Sequence, residues 1–292
     1  MGASRPLIVA VLGRGVVEPT EPVLRADDLG LTRGDGCFDA TRVVVAADGS
    51  ARVDHLDGHL ARFARSAAAL DLPVPDEAAW RSLVEEAVEA WSAIAGPGEA
   101  VVRVMLTRGL ESDPTGPVTG LLTIAGLDPV AMSAARSGIT VITLDRGHAV
   151  DAFADVPWLM GGVKTLSYAI NVAAGREAAR RGADDVLFTS TDGFALEAPR
   201  SALVWRIGDV LWSTQHDGTG ILRSVTQAAA FDAARLDGVR AELELIRMGA
   251  LLDVDGAWLV SAGRGVVPIL RLDDTTLRHD DEWTTRLRSW AA

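Results

Sequence analysis

Apolar residues in this chain recur at two different periods. Some stretches repeat every second residue and others every third or fourth, and both kinds occur on each side of a Gly126-Leu127-Asp128-Pro129 connector. That mixture confines the chain to folds in which each half contains both sheet and helix, so the expected fold class is α+β. A domain boundary is placed at the connector, giving domains at 1–126 and 127–292. In the first half, Pro6 to Gly13, Pro22 to Asp27 and Phe38 to Val45 read as strands, and Ala47-Asp48-Gly49-Ser50 turns the chain into Ala51 to Val53. Asp57 is expected to cap a helix with Leu60, Phe63, Ala67 and Leu70 on one face, ended by Pro73 and Pro75. A second helix starts at Asp76 and places Trp80, Leu83, Val84, Ala87, Val88 and Trp91 in one apolar stripe, stopping at Gly96-Pro97-Gly98. Ala100 to Thr107 and Leu121 to Ala125 have the apolar density of buried strands.

The second half is expected to begin with the strand Ile139 to Leu144 and a Gly/Pro-punctuated loop. Helical spacing then runs from Thr165 to Arg181, closed by Gly182. Asp185 to Ser190 is strand-like, Asp192-Gly193 turns, and Phe194 to Glu197 returns. Ala202 to Ile207 and Val210 to Ser213 pair across Gly208-Asp209. A long helix is expected from Ile221 to Leu236, followed by strands at Arg240 to Ile246, Ala257 to Ser261 and Val266 to Leu270.

Charge and cysteine usage exclude several function classes. A net charge of −12 leaves no basic groove for nucleic acid. The single cysteine, Cys37, rules out an intramolecular disulfide and a Cys-based zinc site, which fits a reducing compartment, so a cytoplasmic location is expected. No apolar run approaches the roughly 20 residues of a membrane span, and Met1 to Arg5 lacks a signal-peptide pattern. No Gly-x-Ser-x-Gly elbow or Walker-type phosphate loop is present. Asp217-Gly218-Thr219-Gly220 loses dinucleotide-loop spacing after its second glycine. His55, Asp57 and His59 have metal-like spacing, but Gly58 and a helix cap at Asp57 account for them better, and no metal is expected.

The remaining polar residues suit an anionic aromatic aldehyde. Lys164 follows a Gly161-Gly162 loop, where its amine could reach a cleft, although a single lysine is ordinarily solvated surface. Glu197 stands beside the apolar run Phe194-Ala195-Leu196, where a carboxylate has little structural reason to be. Gly218-Thr219-Gly220-Ile221-Leu222 is expected to open a helix, whose N-terminal amides and dipole would favour phosphate. Arg62 could reach the same anion.

Together these segments resemble the class IV, fold-type IV pyridoxal-phosphate-dependent aminotransferase family. Leu31-Thr32-Arg33-Gly34-Asp35-Gly36-Cys37-Phe38-Asp39 is similar to its Gly-Asp-Gly-x-Phe-Glu segment, with Asp39 in place of the usual Glu. His59-Leu60-Ala61-Arg62-Phe63-Ala64-Arg65-Ser66 resembles its His-x-x-Arg-x-x-x-Ser helix, and Thr107-Arg108-Gly109 a strand end near the substrate carboxylate. Lys164 with Asn171, the hairpin Asp192-Gly193 to Glu197, and Gly220-Ile221-Leu222-Arg223 complete the match, in the family's order and approximate spacing. Departures are Leu222, where a Thr or Ser commonly helps hold phosphate, and Ser261-Ala262-Gly263-Arg264-Gly265, where a Gly-Thr-Ala turn is usual.

The resemblance implies a D-amino-acid-aminotransferase-like enzyme with a smaller N-terminal domain, a larger C-terminal cofactor-binding domain and a homodimeric assembly. It implies that Lys164 carries pyridoxal 5'-phosphate as a Schiff base and acts as the general base. Glu197 would contact the pyridine nitrogen, while Arg62, Gly220, Ile221 and Leu222 would hold the phosphate. Arg103, Arg108 and Tyr168 are the candidates for contact with a small-molecule amino substrate. Arg103 and Arg108 are five apart and should not share one carboxylate. Tyr168 lies one position short of the tyrosine of branched-chain transaminases. The Gly34 to Phe38 segment with Arg42-Val43 is closest to the 4-amino-4-deoxychorismate lyase branch. A transaminase acting on branched-chain or D-amino acids or amines is the alternative, and a catalytically silent relative the third reading.

Overall fold

A computed structural model describes residues 6–292, so the Met1 to Arg5 segment lies outside the described residues. Packing of the backbone divides the chain into two units. The first takes residues up to Pro129 together with Val163–Ser167; the second takes Val130–Gly162 and Tyr168–Ala292. Lys164 therefore packs with the first unit although it lies far along the chain.

The first unit is built on strands β1 (Leu7–Val11) and β2 (Gly15–Val17), a short helix α1 (Leu29–Thr32), β3 (Gly36–Val45), β4 (Ala51–Val53), helices α2 (Leu56–Ala69) and α3 (Glu77–Ala95), β5 (Gly98–Thr107) and β6 (Thr119–Gly126). Its sheet has the order β2-β1-β6-β5-β3-β4, antiparallel throughout. The α3 stripe foreseen from spacing is buried as a set, and Asp76 caps the helix by accepting from the Ala78 and Ala79 amides. Each large side chain in that stripe contributes about 1.5–3 kcal/mol by leaving water. Trp80 meets Phe63 of α2 edge-on, with ring centroids 5.1 Å apart.

Two local expectations in this unit fail. Pro22 to Asp27 forms no strand; the chain loops there until Asp28 accepts from Gly30 N and starts α1. The α2 cap is His55, in a left-handed conformation, and Asp57 lies inside the first turn. A hairpin strand, Gly15–Val17, went unread because a single turn around Gly13 separates it from β1.

The second unit comprises α4 (Pro129–Ser137), β7 (Ile139–Asp145), α5 (Ala169–Arg180), β8 (Asp185–Thr189), β9 (Ala202–Ile207), β10 (Val210–Thr214), α6 (Val225–Leu236), β11 (Arg240–Glu244), α7 (Met248–Leu251), β12 (Gly256–Ser261), β13 (Gly265–Leu272), β14 (Thr275–Thr276) and α8 (Asp281–Trp290). Its sheet runs β11-β10-β9-β12-β13-β7-β8, with β14 on β13. The β10–β11, β13–β7 and β7–β8 pairs are parallel and the rest antiparallel. Both units mix sheet and helix, so the α+β class holds.

Two helices start later than the spacing predicts. Thr165 does not open α5: it makes an isolated bridge with Cys37, and the helix begins at Ala169. Ile221 does not open α6, because Ser224 is the cap, accepting from Gln227 N at 3.2 Å. The terminal helix α8 was not foreseen; its Trp283, Leu287 and Trp290 are buried.

Candidate functional site

In the first unit, β4 covers only Val43 to Val45 of β3, so the other end of β3 keeps an open edge. Val163–Ser167 fills it. Phe38 N donates to Lys164 O at 3.0 Å, Leu166 N to Gly36 O at 2.9 Å, and Thr165 bridges Cys37. Strand alternation then fixes the side chains. Cys37 faces the helix-packed core, whereas Lys164 shares the opposite face with Phe38, its Nζ 4.5 Å from the ring centroid. Ser66 of α2, which sequence reasoning quoted without assigning a role, anchors the segment by accepting from Lys164 N at 3.2 Å. Gly36 is required here: a Cβ would lie 2.4 Å from Leu106 O and 2.7 Å from Leu166.

Asp39 follows on the core side of β3 and is fully buried. It accepts from Arg62 Nε at 2.7 Å, Arg62 Nη2 at 2.8 Å and His59 Nδ1 at 2.7 Å. Burial pushes its carboxyl up, but the Arg62 guanidinium and the His59 ring outweigh that and hold it well below the usual range. His59 is pushed down by burial in spite of Asp39, so at neutral pH the ring is uncharged. An ionised Asp39 only accepts, which places the ring proton on Nδ1 and makes the 3.4 Å approach of Arg62 Nη2 a contact rather than a hydrogen bond. The buried Nε2 has no hydrogen-bond partner among the described residues. The Cys37 thiol, pushed up to about 12 by burial and then by the Asp39 charge, stays protonated and unreactive.

The candidate arginines differ sharply. Arg108 is engaged by Asp35, Nε to Oδ2 at 2.6 Å, and by Leu70 O at 2.6 Å, so its donors serve the fold. Arg103 is exposed, makes no hydrogen bond or ion pair among the described residues, and lies 6.0 Å from the Phe38 ring centroid. One phenyl ring thus neighbours both Arg103 and Lys164. Asp28, also missed, is a fully buried carboxylate spent on Gly30 N, Thr107 Oγ1 and Thr119 Oγ1.

In the second unit, Glu197 stands half-buried on the segment returning from the Asp192-Gly193 turn, where Phe188 N donates to Glu197 O and Leu196 N to Phe188 O, both at 2.9 Å. Its carboxylate oxygens lie 3.3 Å from Leu222 N. Gly220, Ile221 and Leu222 form a loop ahead of α6 and not its first turn, so the helix dipole that the sequence suggested is lacking there; Leu222 N faces Glu197 and Ile221 N lies 3.4 Å from Thr219 Oγ1. The loop is pre-set by Thr219, whose buried hydroxyl lies 2.9 Å from Gln215 O and 2.8 Å from His216 O. Gly162 N donates to Gly220 O at 2.8 Å. Gly220 has φ +72°, and a Cβ on it would meet the Phe153 ring at 2.3 Å.

Tyr168 does not offer its proton to a substrate: its OH donates to Pro199 O at 2.7 Å, and Asn171 Nδ2 joins it at 2.6 Å. Arg264 is bound to Asp185 and donates to Ser201 Oγ at 3.0 Å, which makes its loop a fixed part of the unit.

Comparison with known proteins places this geometry. The sequence model of the family described as amino-transferase class IV matches residues 36–272. A bifunctional aminodeoxychorismate lyase / D-amino acid transaminase of Mycobacterium tuberculosis is 39% identical over 87% of this chain and 88% of its own. The solved fold IV transaminase of Curtobacterium pusillum is 40% identical, with a TM-score of 0.89 over 98% of this chain and 99% of its own. A hypothetical aminotransferase of M. tuberculosis, solved in a PLP-bound form, is 37% identical with a TM-score of 0.90, covering 97% of this chain and 98% of its own.

Proposed function

Because the chain belongs to the class IV aminotransferase family, we propose that it is a 4-amino-4-deoxychorismate lyase, expelling pyruvate and leaving 4-aminobenzoate. It is an enzyme, and its cofactor is pyridoxal 5'-phosphate. The residues present fit that group: a half-buried carboxylate beside a loop amide, a glycine cradle that a Cβ would fill, a buried arginine, and a lysine amine over a phenyl face. When bound, the cofactor supplies an electron sink for a carbanion next to the substrate nitrogen.

Each residue then has a definite task. Lys164 would carry the cofactor through its amine and, when that amine is free, would serve as the general base for the proton on the substrate carbon. Glu197 would face the pyridine nitrogen, where a carboxylate favours the protonated ring. Arg62 and the Gly220, Ile221 and Leu222 loop would hold the phosphate, with the Leu222 amide turning from Glu197 to do so, and Asp39 fixes Arg62 in place through two of its donors. Arg103 receives a substrate carboxylate. Arg108 is assigned to the fold.

The observation that carries the reading is the strand pairing that sets the Lys164 amine on Phe38, on the side of the sheet away from the core. The lyase is supported by the name of the M. tuberculosis relative and by the Gly34 to Phe38 segment. That same name, with the 40% identical transaminase, favours a second reading in which the enzyme moves an amino group between D-amino acids and keto acids. Aminodeoxychorismate added to the holoenzyme should give 4-aminobenzoate by fluorescence. No product there, with keto acid formed from a D-amino acid, would replace the lyase by the transaminase. A homodimer, testable by sedimentation, and a cytoplasmic location complete the proposal. Among the described residues no helix is long and apolar enough to cross a membrane.

A further inference from the structure

Tyr168 and Asn171 flank the start of α5, and both donate to one acceptor, the buried carbonyl of Pro199. Tyr168 is the residue before the helix and Asn171 stands three positions on in its first turn, a spacing that brings both to one side. A carbonyl oxygen has two lone pairs, and here a phenol and an amide occupy them at 2.7 and 2.6 Å. Pro199 has no N–H, so its carbonyl is its only main-chain handle.

The backbone leading to that handle is committed at nearly every step. Leu196 N donates to Phe188 O, and Phe188 N to Glu197 O. Leu196 O accepts from Thr214 Oγ1 at 2.8 Å. Ala198 N donates to Ser201 O at 2.9 Å, and Ser201 Oγ accepts from Arg264. Glu197 thus sits in a stretch held upstream by sheet pairing and downstream by α5. Its carboxylate lies 3.3 Å from Leu222 N, within the same unit. An acid that must meet one ring nitrogen tolerates displacements of only about 0.5 Å.

We infer that Tyr168 and Asn171 are positioning residues for Glu197, clamping the Pro199 turn so that the carboxylate is presented at a fixed place. This rests on the proposal that Glu197 serves the cofactor ring. Tyr168 spends its single O–H on Pro199, so it acts through Glu197 and not as a proton donor to substrate.

The test is a double-mutant cycle read by cofactor binding and by the visible spectrum of the bound cofactor, without turnover. Tyr168→Phe keeps the ring and deletes only the O–H. It should weaken pyridoxal phosphate binding about three- to tenfold and alter the visible band. Glu197→Gln should do more. Combined with Glu197→Gln, Tyr168→Phe should add little, because the clamp then has no carboxylate to aim. Asn171→Ala removes the second donor and repeats the cycle should Tyr168→Phe fold poorly. Full additivity of Tyr168→Phe and Glu197→Gln, or a Tyr168→Phe protein with unchanged affinity and spectrum, would overturn the inference. If Glu197→Gln itself leaves affinity and spectrum unchanged, the assignment of Glu197 fails, and the clamp falls with it for that separate reason.

Discussion

Asp39→Asn removes the counter-charge from a buried arginine while conserving shape. Asp39 is fully buried and Arg62 nearly so, and three hydrogen bonds join Asp39 to Arg62 and His59. Breaking such a pair from one side costs about 3–5 kcal/mol, chiefly because the remaining charge stays in low dielectric. Asparagine still accepts through one oxygen, so the lower end, about 3 kcal/mol, is expected at neutral pH. Urea unfolding followed by hydrogen exchange at β3 and α2 amides reports the unit concerned even if the two units melt separately. Pairing Asp39→Asn with Arg62→Met should recover part of the loss, since no charge is then stranded. A loss below about 1 kcal/mol for the single variant, or strict additivity in the pair, would refute the reasoning. The pH dependence has a definite sign. Asp39 is depressed below the ordinary carboxyl value of 3.8, so the pair's stabilisation is complete well above that value and fades as acid carries the pH down through the lower folded value. From about pH 7 to 5 Asp39 itself therefore adds no pH dependence to the gap between wild type and variant; any change there reports His59, whose proton affinity Asp39 raises.

Three other outcomes follow from the same structure. Acidification through the ordinary histidine value of 6.5 should itself lower stability, because the unfolded chain takes up that proton before the buried His59 ring does; a flat profile there would contradict the burial account. Arg108→Ala should cost about 1 kcal/mol by loss of a half-exposed pair with Asp35 and should change KM less than threefold, whereas Arg103→Ala should leave stability within about 0.5 kcal/mol and raise KM for a dicarboxylate about tenfold or more. The reverse pattern in steady-state kinetics would return Arg108 to the substrate. Gly220→Ala, at φ +72° with Phe153 in the way, should cost about 1–3 kcal/mol in a urea titration and weaken cofactor binding.

Sequence reached the architecture where patterns are local. The α3 stripe, its Asp76 cap and the Ala47 to Ser50 hairpin are set by residues within a few positions of one another, and they appear as read. What sequence could not show depends on distant partners. Thr165 has helical company on paper, yet the free edge of β3 captures Val163–Ser167 through an isolated bridge at Thr165 and two flanking hydrogen bonds, and that capture sets the direction of Lys164. The family pattern pointed to Lys164, Glu197 and Arg62, but not to the partners that hold them: Ser66 under Lys164, Asp39 on Arg62, and the Tyr168–Asn171 grip on Pro199. Arg108 and Arg103 looked alike in the sequence; only tertiary pairing with Asp35 and Leu70 separates them.

The central claim is that Lys164 holds pyridoxal phosphate, and the visible absorption spectrum of the purified protein with added cofactor tests it most directly. A protein-bound visible band that is lost in Lys164→Ala is the predicted result, with single amino acids then added one at a time to see which, if any, bleaches it. A wild-type protein that shows no such band at saturating pyridoxal phosphate, or a Lys164→Ala protein that keeps it, would contradict the account.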